Sequence, residues 1–510
     1  MVQMYSKVYS AAIQGVAMEI VAVETDVSDG LPSFEMVGLL NSEVKEARER
    51  VRSAIKNTGY LLPPKRITVN LSPADIRKEG SSFDLPIAVS ILTSLGLVNK
   101  YGSDDEKILV AGELSLSGKV FPMNGVLPMV LAAREKGIRK FIVPKENAKE
   151  GAVVKDVEIY GISTLREVIN FLNGDKLEKE PYIDFENMLQ SEINVYEEVD
   201  FSDICGQESV KRAAKIAVAG MHHILLIGTP GSGKSMIAKR IPGILPKPDM
   251  EECMEITKIH SIAGELKGTN IKLHRPFRAP HHSVTDKALI GGGTNPKPGE
   301  ITLAHRGVLF LDELAEFRRE TIDSLRQPLE TGEVIINRLN GTYVFPAGIM
   351  LVAATNPCKC GYYPDRNRCA CSENQVKNYL GKISGPILDR IDICVTTPAV
   401  MVEDLGKKSG ETSMDIREQI EKVRAIQEER FKKEKFRFNS DIPTSKLDKY
   451  CNMSERAKMV IKRAYNSYGL SVRSYHKLIR VARTIADLDG AIYIEEKHIA
   501  EALGYRTDIF

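Results

Sequence analysis

No stretch of this chain approaches the roughly twenty consecutive apolar residues that a membrane span needs, and Lys7, Glu19 and Asp26 break the first apolar segment. Neither a membrane span nor an export signal is therefore expected, and the expected location is the cytoplasm. Charge of one sign is also missing. Seventy basic residues face 68 acidic ones, a net charge of +2, which excludes a global basic field and confines any nucleic-acid contact to local patches. Cysteine is scarce at eight in 510 residues, which suits free thiols or metal ligands better than a disulfide framework. Internal repeats and low-complexity tracts are absent as well. What the chain does have is 43% apolar content over a length that fits about three domains.

From Tyr5 to about Leu172, short β-branched runs (Ile20 to Val23, Ile67 to Val69, Phe141 to Val143) alternate with helical stretches such as Ser42 to Asn57. This predicts an α+β domain over 1–175. Residues 176–200 carry eight acids against two bases and read as an acidic, exposed linker. Residues 201–400 alternate strand cores with helices, as expected of a parallel α/β sheet covered on both faces. Beyond 401 the strands stop. Met414 to Phe436, Ser454 to Ser467, Ser471 to Leu488 and Glu495 to Leu503 predict a helical C-terminal domain over 401–510.

The octapeptide Gly228-Thr229-Pro230-Gly231-Ser232-Gly233-Lys234-Ser235 follows the apolar run His223 to Ile227, and this strand, glycine loop and Lys-Ser order is the signature of a phosphate loop. Its glycines allow backbone N–H groups to close around phosphate oxygens, Lys234 supplies charge to the terminal phosphates of ATP, and the Ser235 hydroxyl is placed to ligate magnesium. A second strand, Val308 to Leu311, ends in Asp312-Glu313. Asp312 is then a magnesium ligand through water, and Glu313 the group that polarises the attacking water. A solvated acidic turn would look the same without the phosphate loop upstream. A third strand, Ile349 to Ala353, leads to Asn356, an amide for the γ-phosphate or the water, or merely the turn before Pro357.

Gly332 to Arg338 and Thr342 to Pro346 form two β-runs joined through Asn340-Gly341, a hairpin signal. Arg338 beside its turn is a candidate for contacting DNA phosphates; an ordinary surface hairpin fits equally. Cys358, Cys360, Cys369 and Cys371 form two Cys-x-Cys pairs among Gly361, Pro364 and Asp365. Four thiolates in a short loop suit structural zinc, with reduced free thiols as the other reading. His281 and His282 lack nearby partners in sequence and read as structural.

Together with Ile383-Ser-Gly-Pro-Ile-Leu-Asp-Arg-Ile-Asp392 and Val481-Ala-Arg-Thr-Ile-Ala-Asp487, these elements resemble the ComM/YifB family of magnesium-chelatase-like AAA+ ATPases over nearly the whole chain. The resemblance implies that Asn356 stands at the sensor 1 position and Arg473 at sensor 2. It implies that Arg390 is an arginine finger supplied across a subunit boundary, although an ion pair with Asp389 or Asp392 would also account for that arginine. It further implies a helix-two insert from Arg278 to Gly293, and a ring, expected to be hexameric, that moves DNA strands during branch migration in natural transformation.

The N-terminal part resembles the Lon protease catalytic domain through Gly112 to Val120 and Ile138 to Asn147. The nucleophile motif would fall on Gly80-Ser-Ser-Phe-Asp84, leaving Ser82 near the nucleophile position, while Leu127 stands where the dyad lysine would be. A hydroxyl without a base is not activated, so this domain reads as non-proteolytic. A chelatase motor subunit, an ATP-dependent peptidase and a nucleotide-dependent scaffold remain the competing readings.

Overall fold

The computed structural model describes residues 5–99, 107–184, 188, 199–266, 271–338, 341–398 and 410–506. They divide into two compact units: Met1–Glu192 with Met250–Leu273 and Asn337–Val344, and Ile193–Asp249 with His274–Ile336 and Phe345–Phe510.

The first unit is built on a seven-stranded mixed sheet. Tyr5–Gln14 and Ala17–Ser28 form a long antiparallel hairpin, with Tyr5 opposite Asp26 and Gln14 opposite Ala17. Arg66–Ser72 extends it antiparallel on one side, while Ile108–Val110, Lys140–Pro144 and Glu158–Ile162 follow in parallel on the other. Parallel neighbours need covering helices, and both faces are covered. Val44, Val51 and Ile55 of helix Ser42–Asn57 and Leu85, Ile87 and Ile91 of helix Asp84–Ser94 build one core. The Asn41 carboxamide caps the first of these by accepting from the Val44 N–H at 2.9 Å.

Val126, Val130 and Phe141 build the other core. Into that second core come Cys253, Ile271 and Leu273 from a distant part of the chain. Helix Met250–Ala263 therefore folds with the first unit, although the strands on either side of it in sequence belong to the second. Ser261 donates to the buried Glu150 carboxylate, and Glu150 also accepts from the Leu127 N–H at 2.7 Å.

Residues 176–184 form no helix or strand, yet they run along this unit instead of standing free. The Glu180 N–H donates to the Ile159 carbonyl and the Ile183 N–H to the Ala152 carbonyl, at 2.8 and 3.0 Å. Leu177 and Ile183 supply the apolar anchors. The rest of the expected linker, 185–187 and 189–198, lies outside the described residues, as do Asn340 of the expected turn and the stretch 399–409.

The second unit holds a five-stranded sheet in the order Phe277–Arg278, Val308–Leu311, Met350–Thr355, Ile224–Gly228, Ile393–Thr397. All of its neighbours pair in parallel. Every residue of the central three strands is buried, the pattern of strands covered on both faces. The C-terminal helices Ser413–Phe431, Val472–Leu488 and Glu496–Gly504 send Ile416, Ile420, Leu478, Ile485 and Ile499 into one core with Ile224 and Leu226 of the sheet. The helix expected to reach Phe436 stops at Phe431, because Phe436 turns back to pack on Phe431 with ring centroids 4.8 Å apart.

Candidate functional site

Because the five strands run parallel, their carboxyl ends share one edge, where ligands of open α/β sheets bind. Gly228 ends the strand beside the central one there, and the loop that follows enters helix Lys234–Ile244. Gly231 and Gly233 take left-handed φ values of 78° and 83°, a conformation that glycine adopts without steric cost. A side chain at Gly228 would fall 1.9 Å from the Thr397 hydroxyl. Thr397 in turn meets the Ser232 hydroxyl at 2.9 Å, tying the loop to the neighbouring strand.

The Lys234 ammonium donates to the carbonyls of Gly228 and Thr229, at 2.7 and 2.9 Å, and to Asn356 Oδ1 at 3.2 Å. Burial holds its pKa below the ordinary lysine value, opposed by the nearby Asp312 and Glu313 carboxylates. The Ser235 hydroxyl donates to Asp312 Oδ2 at 2.6 Å. Thus the fold brings four expected residues, Lys234, Ser235, Asp312 and Asn356, into direct contact from three strand ends. The hydroxyl and carboxylate fit a magnesium ion held jointly, and the ammonium beside an amide fits a terminal phosphate.

Glu313 follows Asp312 in a left-handed backbone, φ 52°, which is uncommon for a residue with a side chain. Its N–H donates to Asp312 Oδ1 at 2.9 Å, and its carboxylate lies 3.6 Å from His282 Nδ1. No motif in the sequence places His282 here. Its ring packs on His281, with centroids 4.0 Å apart, so the expected structural role extends to the edge of the site. Gln207 is a second residue that motif reasoning missed. Its amide donates to the carbonyls of Ser232 and Pro398, at 2.8 and 2.9 Å, while its buried Oε1 has no partner among the described residues. A lone Gly-Gln before a helix carries no signal that would have found it.

The two remaining arginines make no hydrogen bond to the phosphate loop. Arg390 pairs with Glu330, sixty residues away, rather than with Asp389 or Asp392, and also donates to the Pro386 carbonyl at 2.8 Å. Asp392 instead faces Lys477 and His222, at 3.6 and 3.3 Å, and these neighbours hold its carboxyl well below the usual range against the opposing effect of burial. Arg473 lies exposed in the first turn of helix Val472–Leu488, which Ser471 caps. Arg338 is exposed at the end of strand Glu333–Arg338, which pairs with Gly341–Pro346 as a two-stranded ribbon.

The four cysteines of the paired motif converge. Their sulfurs all lie within 4.8 Å of one another, with Cys358 3.3 Å from Cys360 and 3.7 Å from Cys369. Tetrahedral zinc with Zn–S bonds of about 2.3 Å requires sulfurs ~3.8 Å apart, so the donor set fits zinc. The spacing exceeds the roughly 2.05 Å of a disulfide, and all four are free thiols.

In the first unit, the Ser82 carbonyl accepts from the Gly112 N–H at 3.0 Å, while Leu127 is fully buried. Lys78, the buried lysine of that segment, gives its ammonium to the Pro73 carbonyl. Asp84 is buried against Arg50, with bonds of 2.7 and 2.9 Å.

Comparison with known proteins finds similar sequences over nearly the whole chain. The family model described as magnesium chelatase, subunit ChlI, matches residues 200–405, that of subunit ChlI of Mg-chelatase residues 23–147, and that of the ChlI C-terminal part residues 410–506. The chain is 45% identical to competence protein ComM of Haemophilus influenzae over 506 residues, covering 98% of this chain and 97% of that protein. It is 39% identical to the uncharacterized protein YifB of Escherichia coli over the same coverage. A Lon protease of Dictyoglomus thermophilum is 32% identical over 164 residues, 30% of this chain and 20% of that one. Among the described residues, no helix is long and apolar enough to cross a membrane.

Proposed function

This chain belongs to the ComM/YifB family of magnesium-chelatase-like AAA+ ATPases, and from that premise we propose that it is a ring-forming motor that hydrolyses ATP to move along DNA. The reading rests above all on the contact set of Lys234, Ser235, Asp312 and Asn356. When ATP enters, Lys234 exchanges its carbonyl partners for β- and γ-phosphate oxygens. Ser235 and Asp312 would hold magnesium, whose charge would offset that of the phosphates. Glu313 accepts the proton of the water that attacks the γ-phosphorus, and Asn356 orients that water. Arg473 reports nucleotide state to the C-terminal helices.

Arg390 is assigned as the finger that a neighbouring subunit inserts. In the single chain its charge is held by Glu330, and assembly would exchange that carboxylate for a phosphate. The subunit count we propose is six. The substrate is DNA, gripped through Arg338 on the exposed ribbon, and the activity is branch migration in natural transformation, in keeping with the name of the competence relative. The four cysteines are proposed to hold structural zinc. The N-terminal unit, with Leu127 where the dyad lysine would fall, is proposed to be non-proteolytic.

The test is ATP turnover with and without branched or single-stranded DNA at low salt, with Lys234→Ala as the variant that should bind no nucleotide. Stimulation by DNA supports the motor reading. A chain that turns over ATP but neither binds nor responds to DNA rejects it, and metal insertion with a partner subunit would then favour a chelatase motor.

A further inference from the structure

The cysteine loop is not a remote appendage. Cys358 stands two residues beyond Asn356, whose side-chain oxygen accepts from Lys234. Three residues later, Gly361 adopts φ 88° and returns its N–H to the Cys358 carbonyl at 3.0 Å. A single carbon added at Gly361 would lie 2.6 Å from Cδ and 2.7 Å from Cγ of Pro230, inside the phosphate loop. The loop backbone therefore rests directly on the ring of Pro230, and there is no space between them for a side chain.

Residues 357–372 form no helix or strand. Apart from its cysteines and the packing of Gly361 on Pro230, the loop is held by turn bonds such as Cys369 N–H to the Asp365 carbonyl at 2.8 Å, and by surface contacts of Arg368 over Tyr362 and Arg366 to the Cys371 carbonyl. Turn bonds and exposed stacking do not by themselves fix sixteen residues against their conformational entropy. A tetrahedral ion bound to four side chains does.

We infer that the metal held by Cys358, Cys360, Cys369 and Cys371 acts on the nucleotide site, setting through Gly361 and Asn356 the position in which Pro230 and Lys234 receive the phosphates. Metal occupancy then governs ATP affinity as well as local folding. This rests on the zinc reading proposed above. Cys360 is exposed and Cys371 half-buried, so the ion lies within reach of a chelator.

The experiment uses the full chain. Zinc is measured by atomic emission, removed with a mercurial thiol reagent and a chelator, and returned as Zn2+ alone, while binding of a fluorescent ATP analogue is followed at each stage. The expected result is one zinc per chain, nucleotide affinity weakened about tenfold or more on removal, and recovery on return. Absence of stoichiometric zinc rejects the zinc reading and this inference with it. Zinc present and removed with nucleotide affinity unchanged overturns the coupling alone. If the depleted chain loses its circular dichroism, Gly361→Ala decides. That variant keeps all four thiols, so it should retain its zinc yet bind the analogue about tenfold or more weakly, and unchanged affinity would overturn the inference.

Discussion

Both units carry a sheet with helices over its faces, yet they treat the same kinds of side chain in opposite ways. In the first, charged groups near the protease-like motif pair internally: Arg50 covers Asp84, Lys78 serves a carbonyl, and Leu127 is buried. In the second, Lys234, Ser235, Asp312 and Asn356 converge on an open sheet edge, where they bond one another and nearby loop backbone groups. Packing needs only the core, whereas chemistry needs a handful of side chains left available.

Four substitutions break or sharpen that contrast. The largest effect is expected for Arg390→Ala, which should leave nucleotide binding intact and lower steady-state ATP turnover by about 10³-fold or more. Mixing it with Glu313→Gln protein should restore part of the turnover, and a clean failure in mixed assemblies would count against a finger acting between subunits. Glu313→Gln alone should retain ATP tightly while hydrolysis falls by roughly 10²- to 10⁴-fold, measured in single-turnover assays.

In the first unit the currency changes from rate to stability. Arg50→Ala strands the buried Asp84 carboxylate and should cost about 3 kcal/mol in chemical denaturation followed by circular dichroism, with nucleotide affinity unchanged. Smallest of all, Ser82→Ala should alter neither ATP turnover nor the integrity of casein or of the chain itself. Cleavage that disappears with this hydroxyl would return the first unit to the proteases.

Much of this was legible beforehand wherever the signal is local. The helix predicted from Ser42 to Asn57 spans those residues, and the helices expected near 454–467 and 471–488 are found as Glu455–Ser467 and Val472–Leu488. Periodicity and caps specify such elements within a few turns. Contacts set at long range were not legible. Arg390 meets Glu330 rather than its sequence neighbours because a short helical turn directs its side chain toward the segment before the ribbon. Residues 250–273 joined the first unit because an apolar helix face is buried by whichever core accepts Cys253, Ile271 and Leu273, and no pattern within the segment says which.

The sequence by itself determined the parts: a phosphate loop, two carboxylates after a strand, four paired cysteines and a ribbon bearing Arg338. Each is a short run whose chemistry follows from residue type and spacing. Only the tertiary structure decided that Ser235 touches Asp312, that Lys234 touches Asn356, and that the cysteine loop rests on Pro230. Those contacts join residues far apart in the chain, and parallel strand pairing alone carries their ends to one edge.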